Sequence, residues 1–170
     1  MSEVWLSGPV AGVTRELIPA VHALLQSAED IPPALGDLST EQIWLRPGGA
    51  ASIGFHCQHI SGSLNRLLTY ARGEQLTDEQ MAAARIEREP GTPPRDVTTM
   101  QAIALNAISG AVEAMRNSPR SALFDAREVG KRRIPSTVFA ILFHCGEHAQ
   151  RHAGQLVTTA KIVRGLNLTG

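Results

Sequence analysis

An all-α fold, a four-helix bundle with long crossover connections, is what this sequence predicts, and three observations predict it. Apolar residues recur at spacings of three and four along four long stretches, the period of a helix with one buried face. Glycine and proline clusters fall between those stretches, not between short alternating runs of the strand kind. The 170 residues contain no internal repeats or low-complexity tracts, and they suffice for one core but not comfortably for two, so a single domain over residues 1–170 is expected.

Taken in order, the first helix is expected in "VAGVTRELIPAVHALLQSAE", residues 10–29, slightly bent at Pro19. A turn-rich connection, "DIPPALGDLSTEQIWLRPGGAA", follows, with one short helical turn around "STEQIW" that Ser39 can cap. Ser52 opens the second long helix, "SIGFHCQHISGSLNRLLTYAR", which Gly73 ends. "TDEQMAAARIERE" reads as a short surface helix and "PGTPPRD" as a loop. The third long helix spans about Val97 to Met115. After "NSPRSALFDAREVGKRRIP", with room for a short extended piece, the fourth runs from Ser136 to about Arg164. Long second and third connections suggest a topology other than simple up-and-down.

Composition narrows the partners. Sixteen basic residues balance sixteen acidic ones, so no global field recruits nucleic acid or an anionic membrane. The only basic cluster, "GKRR" at 130–133, reads as a solvated turn. The N-terminal stretch lacks the basic start and apolar run of a signal peptide, and apolar runs such as "VFAILF" are far too short to span a bilayer, so a cytoplasmic protein is expected. Cys57 and Cys145 are too few for a disulfide framework and are expected as packed thiols, with thiolate ligation of a metal the sharper alternative.

The chemistry-bearing feature is "HCGEHAQRH", residues 144–152, which holds three of the six histidines. At about 100° per residue, His148 lies near 40° from His144, His152 near 80°, Gln155 near 20° and Thr159 near 60°. They form one stripe beside the apolar face of Val138, Ile141, Leu142, Ala149, Leu156, Ala160 and Val163, while Glu147 projects to the far side. Imidazoles at i and i+4 can give two nitrogens to one metal ion. A lone histidine at such a border is usually a hydrogen-bonded core residue, but three in a row are most economically explained by a shared cation. One helix supplies too few ligands, and the second long helix offers His56 and His59. Periodicity alone slightly favours His56, which sits nearer the apolar stripe of Ile53, Ile60, Leu64, Leu67 and Ala71.

The stretch "LSTEQIWLRPGGAASIGFHCQHISGSLNRLLTYARGE", followed about ninety residues later by "EHAQRHAGQL", resembles the DinB-like family, also called DinB/YfiT-like. Three features carry the resemblance in order: Trp44 with "RP", "SIG" shortly before a histidine, and a final HxxxH running into Gly154-Gln155. The resemblance implies a four-helix bundle of that type and a divalent metal held by one histidine of the second helix and two of the last. Matched residue by residue, the ligands are His59, His148 and His152. His56 and His144 then stand near the ligands, as supporting partners, a fourth ligand or polar residues of the bundle rim, and Gln155 either orients a ligand or holds a helix contact. Arg151 and Ala153 occupy positions flanking His152 where many members carry another histidine or an arginine. Relatives being often dimers, a homodimer is implied too.

A cation on three neutral imidazoles keeps its full charge and an open position, and the all-nitrogen set favours zinc, with nickel the alternative. Family members of this kind include thiol-dependent transferases and isomerases. The implied function is a metal-dependent enzyme in which a low-molecular-weight thiol cosubstrate attacks a small electrophile. One alternative is hydrolysis through metal-activated water, for which Glu147 is badly placed and the HExxH order of metalloproteases is missing. Another is a non-catalytic, stress-associated metal-binding or interaction module.

Overall fold

The computed structural model of the chain describes residues 3–166. Four long helices form the bundle: α1 (Ile18–Leu35), α3 (Ile53–Ala71), α5 (Val97–Arg116) and α6 (Val138–Leu166). Two short helices, α2 (Thr40–Ile43) and α4 (Asp78–Arg85), lie in the first and second connections. The third connection holds an antiparallel hairpin, β1 (Ala126–Val129) with β2 (Ile134–Thr137), in which Ala126 faces Thr137 and Val129 faces Ile134. The expected extended piece is therefore a two-stranded ribbon. Its turn carries "GKRR", and Ser136 ends in β2, two residues before α6 begins.

Helix α1 packs against α6 and α5, and α3 packs against the same two, so α1 and α3 stand diagonally across the bundle. The first connection spans that diagonal and the third spans the other one, from α5 to α6, while the second joins the neighbours α3 and α5. The topology is thus not simple up-and-down, as expected, and the second connection is long because it carries α4 and a loop that folds back on α3. No described helix is long and apolar enough to cross a membrane.

Helix starts follow local hydrogen-bonding chemistry. Ser39 and Thr77 form capping boxes with Gln42 and Gln80, and Ser52 and Asp96 accept backbone N–H bonds from Phe55 and Thr99. Helix α1 departs from expectation at both ends. It begins at Ile18, so Pro19 lies in the first turn, where its missing N–H costs no intrahelical bond and no bend is needed. It then runs through Pro32 and Pro33, because Ile31 and Leu35 continue the buried stripe of Val21 and Leu24 and tertiary packing outweighs the two lost donors.

The core is a single cluster of these stripes with Ile60 and Leu64 of α3, Met100, Ile108 and Met115 of α5, and Leu142, Leu156 and Val163 of α6. Cys57 and Cys145 are fully buried within it as free thiols, and burial pushes both up to about 12. They pack as small apolar residues at neutral pH. Two glycines set helix positions by close approach. A Cβ at Gly54 would come within 2.7 Å of the Trp44 ring, and one at Gly146 within 2.5 Å of the Ala20 carbonyl oxygen. The Trp44 indole also donates to the Arg95 carbonyl at 2.9 Å. It thereby ties the first turn of α3, where the site begins, to the loop before α5.

Candidate metal centre

Helix α3 brings His56 and His59 to the seam with α6, and α6 brings His148 and His152 to the same level. His59, His148 and His152 each offer a ring nitrogen, and these atoms lie within 4.8 Å of one another. The Nε2 atoms of His59 and His148 are 3.1 Å apart, and the His152 ring centroid is 4.5 Å from that of His59 and 4.6 Å from that of His148. Two imidazoles bound at about 2.1 Å to a tetrahedral ion stand roughly 3.4 Å apart, so the His59–His148 spacing needs only a few tenths of an ångström to admit one. Burial first, then the neighbouring charges of His152, His59 and Arg151, pushes His148 down to about 3. Burial, followed by His59 and Arg151, pushes His152 down to about 4. Both rings are neutral at physiological pH and keep lone pairs for a Lewis acid.

His59 is held from behind. Its Nδ1–H donates to Glu87 at 2.7 Å, which turns Nε2 toward His148. Glu87 also accepts from Arg66 at 2.5 Å and is only 8% exposed. Burial alone would raise its pKa, but the hydrogen bonds from His59 and Arg66 outweigh that and hold it below the ordinary 4.5. The loop carrying Glu87 is fastened to α3 by Gln58, whose amide donates to the carbonyls of Glu87 and Glu89 at 3.0 and 3.1 Å and whose oxygen accepts from Arg95. Gly62, one turn beyond His59, makes this possible: a Cβ there would fall 2.1 Å from a Glu87 carboxylate oxygen. A carboxylate on the outer nitrogen of a metal-site histidine fixes the tautomer that leaves the inner one free.

Glu87 is the site residue that sequence reasoning missed. It sits in "ARIERE", read there as the tail of a surface helix, but α4 ends at Arg85 and the chain turns inward. No motif marks it, and an interior glycine in α3 was the only hint.

The other expected residues divide. His56 is 3% exposed, and its Nδ1 lies 3.1 Å from Nδ1 of His152, so it stands behind His152 as a hydrogen-bonding partner outside the group of three. Burial, with His152 and His59 beside it, pushes His56 down to about 4. Periodicity favoured His56 because it reports burial, and the more deeply buried of the two rings is the one that cannot face the cleft squarely. His144 is outside the group: its Nδ1 pairs with Glu147 at 2.9 Å, and the ring is half exposed. Gln155 and Thr159 lie on the cleft wall. The sixth histidine, His22, is elsewhere, buried on α1 against the Gly8 carbonyl at 2.9 Å.

Beside the histidines opens a cleft of about 770 Å³, lined by Phe55, His56, His59, Arg88, Arg151, His152, Gln155 and Ile162 among others. Phe55 stacks on His59 at 5.1 Å with the rings 17° from parallel. Among the described residues no aspartate or glutamate lines this cleft, and neither does any residue of the "GKRR" turn. Glu147 is turned to His144 and, at 3.8 Å, to Arg151.

A helical bundle whose second and last long helices converge on three histidines, with a reachable cleft beside them, defines a class of candidate metal-binding proteins. The chain belongs to the DinB superfamily, whose family model matches residues 23–156. That span begins in α1 and takes in all four histidines of the seam. Among curated proteins, none matches the sequence.

Proposed function

We propose that the protein is a divalent-metal-dependent enzyme in which His59, His148 and His152 hold the cation and a low-molecular-weight thiol attacks a small electrophile. The single observation that carries this is the convergence of three ring nitrogens within 4.8 Å beside an accessible cleft. Zinc is the first choice for an all-imidazole set, and nickel the second. When bound, the cation supplies Lewis acidity, which lowers the pKa of a thiol or water brought to it. The chain's own residues do the rest: Glu87 holds the His59 tautomer, His56 orients His152, and the apolar walls of Phe55 and Ile162 exclude water from a bound substrate. Hydrolysis is less well supported, because a water nucleophile calls for a general base and no carboxylate lines the cleft.

Metal analysis of untagged protein, followed by thiol consumption with an electrophile panel, tests the proposal. The wild type should carry about one equivalent of metal, lost in His59→Ala. Thiol should be consumed only with the metal present and without dependence on Glu147. Metal content unchanged by His59→Ala would refute the site, and thiol unchanged across the panel would refute the reaction.

A further inference from the structure

The cleft beside the histidines has a charge pattern that the three-histidine site does not require. Two arginines, Arg88 and Arg151, line it, together with the apolar surfaces of Phe55 and Ile162 and, among the described residues, no acidic side chain. The nearest acids on the elements that carry these residues are already engaged. Glu87 is paired with His59 and Arg66, and Glu147 with His144 and, at a loose 3.8 Å, with Arg151 itself. Arg88 comes from the loop after α4 and has no carboxylate partner among the described residues. Its guanidinium lies instead over the Phe55 ring, 4.9 Å from the centroid. An arginine stacked on an aromatic face is held with its N–H edge outward, the geometry that meets a planar carboxylate with two parallel hydrogen bonds.

Arg151 is held more loosely. One terminal nitrogen lies 2.6 Å from Nδ1 of His148. A guanidinium only donates, so this contact needs the His148 proton on Nε2, where it points at His59. With Nε2 given to a cation, the His148 proton would sit on Nδ1, which could then no longer accept from Arg151 and would leave that guanidinium free for another acceptor. The cleft is the open space on its flank.

We propose that this cleft binds a small organic carboxylate, recognised by Arg88 and Arg151, with its apolar or aromatic body on Phe55 and Ile162. The inference rests on the enzyme reading, since it names the substrate class of the same site, but its readout is binding rather than turnover. Either the electrophile or the thiol could bring the carboxylate. The shared chemistry is a carboxylate on a compact apolar frame.

The test is titration of the zinc-loaded protein with benzoate and with its neutral isostere benzamide, followed by protein NMR, with zinc content measured on every variant. Benzoate should bind at least about tenfold more tightly than benzamide and shift Phe55 and Ile162 signals. Arg88→Gln and Arg151→Gln should each weaken benzoate by roughly tenfold while zinc content and benzamide binding stay the same, a tenfold change being about 1.4 kcal/mol. Equal affinity for the two probes overturns the proposal. So does benzoate affinity that survives both substitutions, which would mean that the carboxylate binds the cation alone. Absence of zinc from the wild type would instead sink the metal reading, and the charge discrimination would then be read on the protein as purified. Competition by a carboxylate-bearing thiol such as mercaptoacetate, set against mercaptoethanol, separates the thiol from the electrophile as the natural source.

Discussion

Helix α6 meets two neighbours in two different ways. Against α1 it comes as close as a backbone allows: Gly146 sits on Ala20 with no room for a Cβ, and the polar contacts around it include Ser27 to Gln150 at 3.1 Å and Gln150 to Asp30 at 3.4 Å. Against α3 the seam is filled by four imidazoles that use one another as hydrogen-bond partners, His59 with His148 and His56 with His152. The first seam stabilises by dispersion and exclusion of water. The second carries polar groups whose burial is tolerated only because each ring is paired. A single cation can replace one of those pairings outright. The difference shows how one helix can serve both as a rigid wall and as a ligand donor: the tight seam fixes its position, and the looser one uses that position.

The largest expected effect falls on the polar seam alone. His148→Ala should weaken zinc binding by roughly 100-fold or more while leaving the melting temperature of metal-free protein within about 2 °C, because it removes a ligand and no core packing. Metal titration with calorimetry of the apo form checks both halves. The tight seam should respond in the opposite sense. Gly146→Ala overpacks a backbone contact and should cost about 1–3 kcal/mol, or a few degrees for each kcal/mol in a chain of this length. Its zinc stoichiometry should be retained, as thermal melts and metal analysis of the folded protein would show.

Smaller and more selective is the support behind His59. Glu87→Gln keeps the shape but weakens the acceptor, and should reduce zinc affinity by about 10–100-fold with stability little changed. Gly62→Ala, which displaces the same carboxylate, should reproduce that loss, and a competitive chelator titration measures both. If the two variants bind zinc as well as the wild type, His59 is not positioned through Glu87.

The smallest effect lies at the last turn of α6, where Arg164 donates to Asp37 just past the end of α1 at 2.8 Å. The hydrogen bond from Arg164 holds the Asp37 carboxyl below its ordinary 3.8. The carboxylate is favoured in the folded state, so the stabilisation is present above pH 3.8 and lost as the pH falls through the lower, folded-state value. Asp37 being 66% exposed, Asp37→Asn should lower the melting temperature only slightly at pH 7, and by progressively less as the pH falls below 3.8. Zinc affinity should not move.

Much of this was legible before any coordinates. Ser39, Ser52, Thr77 and Asp96 mark helix starts because a side-chain oxygen satisfying an orphan N–H is a matter of neighbouring residues. The stripe of His148 and His152 is equally local, being helical geometry applied to a spacing of four. The end of α1 was not legible, because whether Pro32 and Pro33 break a helix depends on what Ile31 and Leu35 pack against. The inward turn at Glu87 was hidden for the same kind of reason.

The sequence by itself determined that four long helices form, the capped starts at Ser39 and Ser52, and two histidines able to share a cation, all of which depend on contacts within a few residues along the chain. Only the tertiary structure decided that α1 and α3 stand diagonally, that His59 meets His148 while His56 backs His152, that Glu87 holds His59 from behind, and that two arginines line the cleft beside it. Those outcomes join residues tens of positions apart, and the physical terms that select them, close packing at Gly54, Gly62 and Gly146 and the pairing of buried polar groups, act only once the helices are side by side.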